Sequence, residues 1–219
     1  MKYSPLFWPI QYKKGVIYIL DETALPHKLT YIRAVNYQQA CKAIKEMKTR
    51  AVGQVILVFY TFLQAIRQKK DLSKVAAAFN SIRPTLSFRY LTKMLLKWQQ
   101  SKVSLEKSIL GFLATLKNAR LKQAEEVAGF LKDGDVILTH CNISGSMPLI
   151  GEFAKKGHKK IRFFVTETRP YFQGSRLSAW ELQRAGFEVT IITDNMVGEL
   201  LSEGKITKVI VGADNLAQN

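Results

Sequence analysis

The stretch that decides the fold is Asp135-Val-Ile-Leu-Thr-His-Cys-Asn-Ile-Ser-Gly-Ser146. Its first half is short, apolar and rich in β-branched side chains, which favours a strand. Its second half is small and polar, and an apolar segment from Met147 to Phe153 follows it, which is typical of a tight turn and a helix start. This order predicts the first crossover of a parallel α/β sheet. A thiol after such a strand, Cys141, would face backbone N–H groups and a helix N-terminus, which favour the thiolate form.

The sequence after this stretch alternates between strand and helix patterns. Predicted strands cover residues 160–165, 188–193 and 208–212, and predicted helices cover residues 176–184 and 196–203. Strands separated by helix-length crossovers specify a parallel, doubly wound sheet. No G-x-G-x-x-G fingerprint follows the first strand and no P-loop lysine pattern is present, so dinucleotide binding is poorly supported.

The sequence before this stretch predicts a small hairpin and a helical bundle. Two strand patterns, 8–12 and 15–20, flank a Lys-Lys-Gly turn. Helical spacing follows at 36–50, where Asn36 can cap the helix, and at 53–68. A third predicted helix starts after a capping Asp71, a fourth starts with Pro84 in its first turn, and a fifth covers 103–131. The fold class is therefore α/β. Residues 1–130 are predicted to form the hairpin and helical domain, and residues 131–219 a Rossmann-like domain that is incomplete.

Polar side chains follow each predicted strand of the second domain. They are Cys141 and Asn142, then residues 166–169, then Asp194 and Asn195, and finally Asp214 and Asn215. Ligands of open parallel sheets bind beyond the carboxyl ends of the strands. Each Asp or Asn could equally cap the next helix, and a buried cysteine is often inert. Together, a thiol and a carboxylate could donate and remove protons at adjacent carbons of one substrate.

Charge and cysteine usage narrow the class of protein. The chain has 33 Lys and Arg against 17 Asp and Glu, a net charge of +16. Such an excess favours anionic partners, either nucleic acid or phosphorylated small molecules, although a solvated basic surface explains it equally well. Two cysteines and three histidines, without short spacings, argue against a disulfide framework or a zinc site. We expect a soluble, reduced, cytoplasmic protein with no membrane span.

Several blocks of sequence, in order, resemble one family. They are residues 19–26, 83–85, 139–142 (Thr-His-Cys-Asn), 167–170 with 173–177, 193–196 and 212–214. With these blocks the chain resembles the methylthioribose-1-phosphate isomerases. Their superfamily includes ribose-1,5-bisphosphate isomerase and the α, β and δ subunits of translation initiation factor 2B. The resemblance covers essentially the whole chain, and its Thr-Arg-Pro, Gln-Gly and Arg-Leu elements are specific to the superfamily.

The resemblance implies an aldose–ketose isomerase acting on a ribose whose anomeric oxygen carries phosphate. The expected reaction converts 5-methylthioribose 1-phosphate to 5-methylthioribulose 1-phosphate, a step of methionine salvage, without metal or organic cofactor. It implies Cys141 and Asp214 as the acid–base pair and, for the full-length family, a homo-oligomer, a dimer, as the assembly. The substrate would be held by Arg50, Arg83, Gln173 and Asn142, with the arginines on the phosphate.

Two departures from the family pattern keep alternatives open. After Arg50 the resembling isomerases usually have Gly-Ala-Pro-Ala, whereas this chain has Ala51-Val-Gly-Gln54. The family also continues past Asn219, so we expect a truncated chain whose open sheet edge causes poor solubility or self-association. The alternatives are ribose-1,5-bisphosphate isomerase, with the same chemistry, and a non-catalytic regulatory protein like initiation factor 2B. Nucleic-acid binding through the basic surface is not expected.

Overall fold

The computed structural model describes residues 3–82 and 88–213. Two compact units divide the chain. The helical unit is Trp8–Ala119, and the sheet unit joins Met1–Phe7 to Arg120–Asn219. The domain division that the sequence predicts at residue 130 stays a prediction.

A three-stranded antiparallel sheet opens the helical unit. Its strands are β1 (Ile10–Lys13), β2 (Val16–Leu20) and β3 (Tyr31–Ala34), in that order across the sheet. The first two form the predicted hairpin, whose turn places Lys14 and Gly15 at positive φ (48° and 78°). The third strand was not predicted; it is defined by its antiparallel pairing with β2, from Tyr31 opposite Leu20 to Ala34 opposite Ile17, which the local pattern does not show.

Five helices follow, close to the predicted positions. They are α1 (Tyr37–Lys45), α2 (Val52–Arg67), α3 (Leu72–Asn80), α4 (Phe88–Gln99) and α5 (Leu105–Gly129). The predicted caps are confirmed, since Asn36 accepts from Gln39 N at 3.0 Å and Asp71 accepts from Ser73 N at 2.9 Å. Helix α2 is buried on most of its sides, as its nearly continuous apolar sequence predicts. The predicted role of Pro84 in a helix start lies outside the described residues.

The sheet unit confirms the predicted parallel α/β fold. Its elements are β4 (Val136–Thr139), α6 (Ser146–Lys156), β5 (Arg162–Thr166), α7 (Ala179–Arg184), β6 (Val189–Ile192), α8 (Val197–Ser202) and β7 (Lys208–Val209). All strand pairs are parallel. A π-helical turn at Gly174–Ser178 precedes α7. The last strand is shorter than predicted, although Ile210 N still donates to Leu138 O at 2.9 Å.

The strand order decides where a ligand can bind. Across the sheet the strands run β6-β5-β4-β7. The chain therefore moves outward from β4 through β5 to β6, and then returns to the other side of β4. This reversal opens a crevice beyond the carboxyl ends of β4 and β7, the usual ligand position in such sheets.

Apolar side chains pack against this sheet. Leu200 of α8 belongs to an apolar cluster with Leu138 and Ile192 of two strands. Elsewhere in the unit the ring of Phe163 meets Phe187 edge-on, with centroids 5.4 Å apart. Among the described residues, no helix has the length and apolar character that crossing a bilayer requires.

Candidate active site

The loop between β4 and α6 carries the candidate thiol in a strained backbone. Cys141 (φ 60°), Ser144 (φ 45°) and Gly145 (φ 76°) all adopt positive φ. For a residue other than glycine, such a conformation costs about 1–3 kcal/mol and persists only where other contacts enforce it. The loop must therefore be held by its surroundings.

Two hydroxyl groups hold the backbone of Cys141. Its amide N–H donates to Thr168 Oγ1 at 2.9 Å, and its carbonyl oxygen accepts from Ser178 Oγ at 2.6 Å. Thr168 lies after β5, and Ser178 ends the π-helical turn before α7. The half-buried thiol is thus attached to a backbone that neighbouring segments hold from both sides.

The side chain of Asn142 is bonded within the same loop and to α7. Its Nδ2 donates to Ser178 Oγ at 3.0 Å and to Glu181 Oε1 at 2.8 Å. Its Oδ1 accepts from Ser144 N at 3.0 Å. These bonds give Asn142 a role in shaping the loop, and its predicted contact with substrate stays a prediction.

The loop after β5 is organised by Asp194. The Asp194 carboxylate accepts from Thr168 N and from Arg169 N, each at 2.8 Å. The hydrogen bond from the backbone N–H of Arg169 is the largest cause of a lowered pKa of Asp194. The bond from Thr168 N–H and the coulombic effect of His140 act in the same direction. The Nδ1 atom of His140 lies 2.7 Å from Thr166 Oγ1, so the ends of β4 and β5 are also bonded directly. Asp194 therefore binds the neighbouring loop instead of capping its own helix, the role that sequence alone suggested.

A close backbone approach explains the Gln-Gly pair of the resemblance. A Cβ atom on Gly174 would lie 1.8 Å from the carbonyl oxygen of Thr166 and 2.8 Å from Thr168 Oγ1. Only glycine fits there. Gln173 immediately precedes it, so the Gln173 backbone is placed beside the loop that bonds to Cys141.

The candidate phosphate arginine lies in the helical unit. Arg50 forms an ion pair with Glu22, with Nε 3.5 Å from Oε2, and its backbone N–H donates to Glu22 Oε1 at 3.1 Å. Thr49 Oγ1 donates to the same oxygen at 2.8 Å. Burial raises the pKa of Glu22, and the positive charge of Arg50 opposes that rise. Glu22 thus fixes the Nε side of the guanidinium, a contact that sequence reasoning did not find.

Ala51 stands where the resembling isomerases have glycine, and its backbone keeps a conformation typical of glycine. Its φ of 44° and ψ of −120° match the first central position of a type II′ turn. Ala51→Gly is therefore expected to raise the free energy of unfolding by about 1 kcal/mol, since relief of strain exceeds the extra chain entropy. Urea-induced unfolding measures this change in the free energy of unfolding.

The matched control is Ala114→Gly on the exposed side of α5, which should instead lower the free energy of unfolding by about 1 kcal/mol. Equal losses in both variants would contradict the strain at Ala51.

The structure brings together three of the six predicted site residues. Cys141, Asn142 and Gln173 lie on the rim of the sheet unit, whereas Arg50 belongs to the helical unit. Arg83 and Asp214 lie outside the described residues. Within the described ranges, no cluster of three or more His, Cys, Asp or Glu side chains could hold a metal ion.

Sequence reasoning missed the roles of Ser178 and Glu181. Their three-residue spacing, which places side chains on one face of a helix, was the available signal.

Comparison with known proteins identifies clear relatives. Residues 36–219 match the family model described as the initiation factor 2 subunit family. A "Methylthioribose-1-phosphate isomerase" of Fervidobacterium nodosum is 32% identical over 92% of this chain and 65% of its own length. A "Methylthioribose-1-phosphate isomerase 1" of Pseudothermotoga lettingae is 34% identical over 96% of this chain and 68% of its own length. The chain thus spans only 65% of the first relative's length and 68% of the second's.

Solved structures share the fold. The translation initiation factor eIF-2B subunit delta from A. fulgidus superimposes with a TM-score of 0.76 at 31% identity, over 97% of this chain and 69% of that one. The 5-methylthioribose 1-phosphate isomerase from Pyrococcus horikoshii OT3 gives a TM-score of 0.77 at 23% identity, over 98% of this chain and 69% of that one. At 23% identity, the similarity to the isomerase structure shows a shared fold alone.

Proposed function

This chain belongs to the initiation factor 2 subunit family, and from that premise we propose that it is an aldose–ketose isomerase of a 1-phosphorylated ribose. The proposed reaction converts 5-methylthioribose 1-phosphate to 5-methylthioribulose 1-phosphate. Its support is the name carried by relatives at 32% and 34% identity over more than nine tenths of the chain.

The strand order is the observation that carries the proposal. Cys141 comes two residues after β4, and the chain after β7 leads to Gly212, Ala213 and then Asp214. Since β4 and β7 are neighbours at the reversal of strand order, residues following their carboxyl ends border one crevice. This topology supports Asp214, which itself lies outside the described residues, as the proposed partner of Cys141.

The chemistry requires one group that acts as an acid and a second group that acts as a base. The phosphate on the anomeric oxygen prevents simple ring opening, so an acid must protonate the ring oxygen as its bond to C1 breaks. A hydrogen moves from C2 to C1, and a base removes the proton of the C2 hydroxyl to leave the ketone. Donated and removed protons balance, because the product is an isomer of the substrate. A positioned acid–base pair of this kind contributes about 10²–10⁴ in rate.

Arg50 is proposed to bind the phosphate. A guanidinium fork matches phosphate oxygens and stays charged at any working pH. The bond from Nε to Glu22 supports this role, because it orients the planar group before substrate arrives. The remaining proposed contacts to substrate are those of Arg83, Gln173 and Asn142.

An isomerase assay of the purified chain tests the proposal. Methylthioribose 1-phosphate and ribose 1,5-bisphosphate would be compared as substrates, with the ketose product quantified. A higher kcat/KM for the thio-sugar is the expected result. A preference for the bisphosphate would support the rival isomerase. Absence of turnover on both substrates would contradict the proposed function.

A regulatory, non-catalytic role is the second candidate. The solved eIF-2B subunit delta from A. fulgidus is 31% identical to this chain, against 23% for the isomerase structure. The positive charge also concentrates in the helical unit, where residues 8–119 hold 19 Lys and Arg against 5 Asp and Glu, a net +14 of the total +16. Binding of the sugar phosphate by calorimetry, without turnover, would favour this candidate. A self-associating state, also proposed from the resemblance, is measurable by light scattering.

A further inference from the structure

We propose that Ser178 and Glu181 are positioning residues that hold Cys141 in the left-handed, half-buried conformation seen in the structure. The inference deepens the proposed function and rests on it, since it concerns the candidate catalytic thiol. Neither residue needs to touch substrate, because both act through the loop between β4 and α6.

The two side chains reach the loop from one face of the segment before and within α7. The Ser178 hydroxyl donates to Cys141 O, and Ser178 Oγ also accepts from Asn142 Nδ2. Glu181 Oε1 accepts from that Nδ2 as well, at 2.8 Å. The side-chain amide of Asn142, the residue after Cys141, thus contacts both Ser178 and Glu181. Cys141 has a left-handed backbone, which such contacts must enforce.

Glu181 is a buried charge, and its partners Ser4 and Asn142 belong to the sheet unit. Its side chain is 2% exposed, and Oε2 accepts from Ser4 Oγ at 2.7 Å. A carboxylate removed from water must be paired and hydrogen-bonded. Arg120, itself 7% exposed, provides the opposite charge, and burial lowers the pKa of Arg120 to about 10 while Glu181 opposes that shift. The fold therefore keeps two buried side chains of opposite charge, Arg120 and Glu181, near the loop.

Arg120 holds the other end of the loop. Its Nη2 donates to Ser144 O and to Ser146 Oγ, and its Nη1 donates to Phe7 O. The guanidinium carbon lies 4.4 Å from the centroid of the Phe7 ring. A Cβ atom on Gly145 would lie 2.3 Å from Phe7 N, so the N-terminal turn packs directly against the loop. The loop is thus held between α7 and the N-terminal segment.

Alkylation of Cys141 by iodoacetamide reports on this arrangement without any sugar phosphate. The measurement uses the full chain with Cys41→Ser, which leaves one thiol. Ser178→Ala is expected to raise the rate constant of alkylation by roughly two- to tenfold, because losing one hydrogen bond frees the half-buried loop. The matched control is Ser175→Ala in the same turn, whose hydroxyl donates to Glu167 O at 3.5 Å and to Phe172 O at 3.3 Å. Its rate should not change.

Variants of α7 separate positioning from general stability. Glu181→Ala should accelerate alkylation, whereas Glu181→Gln keeps an acceptor for Asn142 and should restore the slow rate. Leu182→Ala removes a fully buried neighbour and should lower the melting temperature without accelerating alkylation. Equal rates for Ser178→Ala and Ser175→Ala would overturn the proposal, as would equal acceleration by Leu182→Ala and Glu181→Ala. If Glu181→Ala fails to fold, the comparison of the alkylation rates of Ser178→Ala and Ser175→Ala tests the proposal. Since no substrate is used, a failed isomerase assay leaves this result interpretable.

Discussion

Cys141→Ser is expected to lower the turnover of methylthioribose 1-phosphate by about a hundredfold or more, the contribution of one acid–base group. Serine has nearly the shape of cysteine but is a far weaker acid. The two bonds that hold residue 141, to Thr168 and Ser178, involve only its backbone. The loop should therefore keep its conformation while the proton transfer is lost. Steady-state kinetics of both forms, with thermal unfolding as the check on folding, measures the effect.

The second cysteine provides the control for this variant. Cys41 lies on α1 of the helical unit, and burial raises the pKa of its thiol to about 12. Cys41→Ser should leave turnover unchanged. Unaltered turnover of Cys141→Ser would remove this thiol from the mechanism, whereas lost turnover with normal sugar-phosphate binding would support its chemical role.

Gly174→Ala is expected to destabilise the protein by at least about 3 kcal/mol, the upper range for overpacked sites. The added methyl carbon would lie 1.8 Å from the carbonyl oxygen of Thr166, so the backbone itself must move. The displaced segment includes Thr168, which binds the amide of Cys141. We therefore expect lost turnover as well as a melting temperature lower by roughly 6–12 °C, from about 2–4 °C per kcal/mol for a chain of this size.

Gly198→Ala is the matched control. Gly198 lies within α8, and a Cβ atom there would meet no other atom within 4 Å. Alanine at this helical position should raise stability by up to about 1 kcal/mol. Equal stability of the Gly174→Ala and Gly198→Ala variants would mean that the β5 loop can shift without cost, contrary to the packing described above.

Much of the fold could be predicted because its signals are local. The apolar run at 136–139 and its polar continuation predicted β4 and the start of α6, and the structure confirms both. Asn36 and Asp71 marked helix starts through capping bonds that span only two or three residues. The miss of β3 has the opposite cause, because that strand depends on pairing with β2, from Leu20 opposite Tyr31 to Ile17 opposite Ala34.

The candidate site was predicted only in part. Residue types at the strand ends and the family resemblance pointed to Cys141, Asn142 and Gln173, and the structure places these on one rim. Glu22 was missed because a single buried carboxylate has no pattern in sequence. Glu181 was missed because its spacing from Ser178 indicates a shared helix face but not what that face contacts. Their importance follows from what they bond, Arg50 in one unit and Asn142 in the other.

By itself the sequence determined the succession of most strands and helices along the chain, the α/β class and the polar residue types that follow the strands. Hydrophobic period, caps and turns act over a few residues, so these features can be recognised along the chain. Only the tertiary structure decided that β7 returns beside β4, and that Ser178 bonds a carbonyl 37 positions earlier. Such pairings depend on the path of the whole backbone, since hydrogen bonds between distant segments form only after the sheet has set their positions.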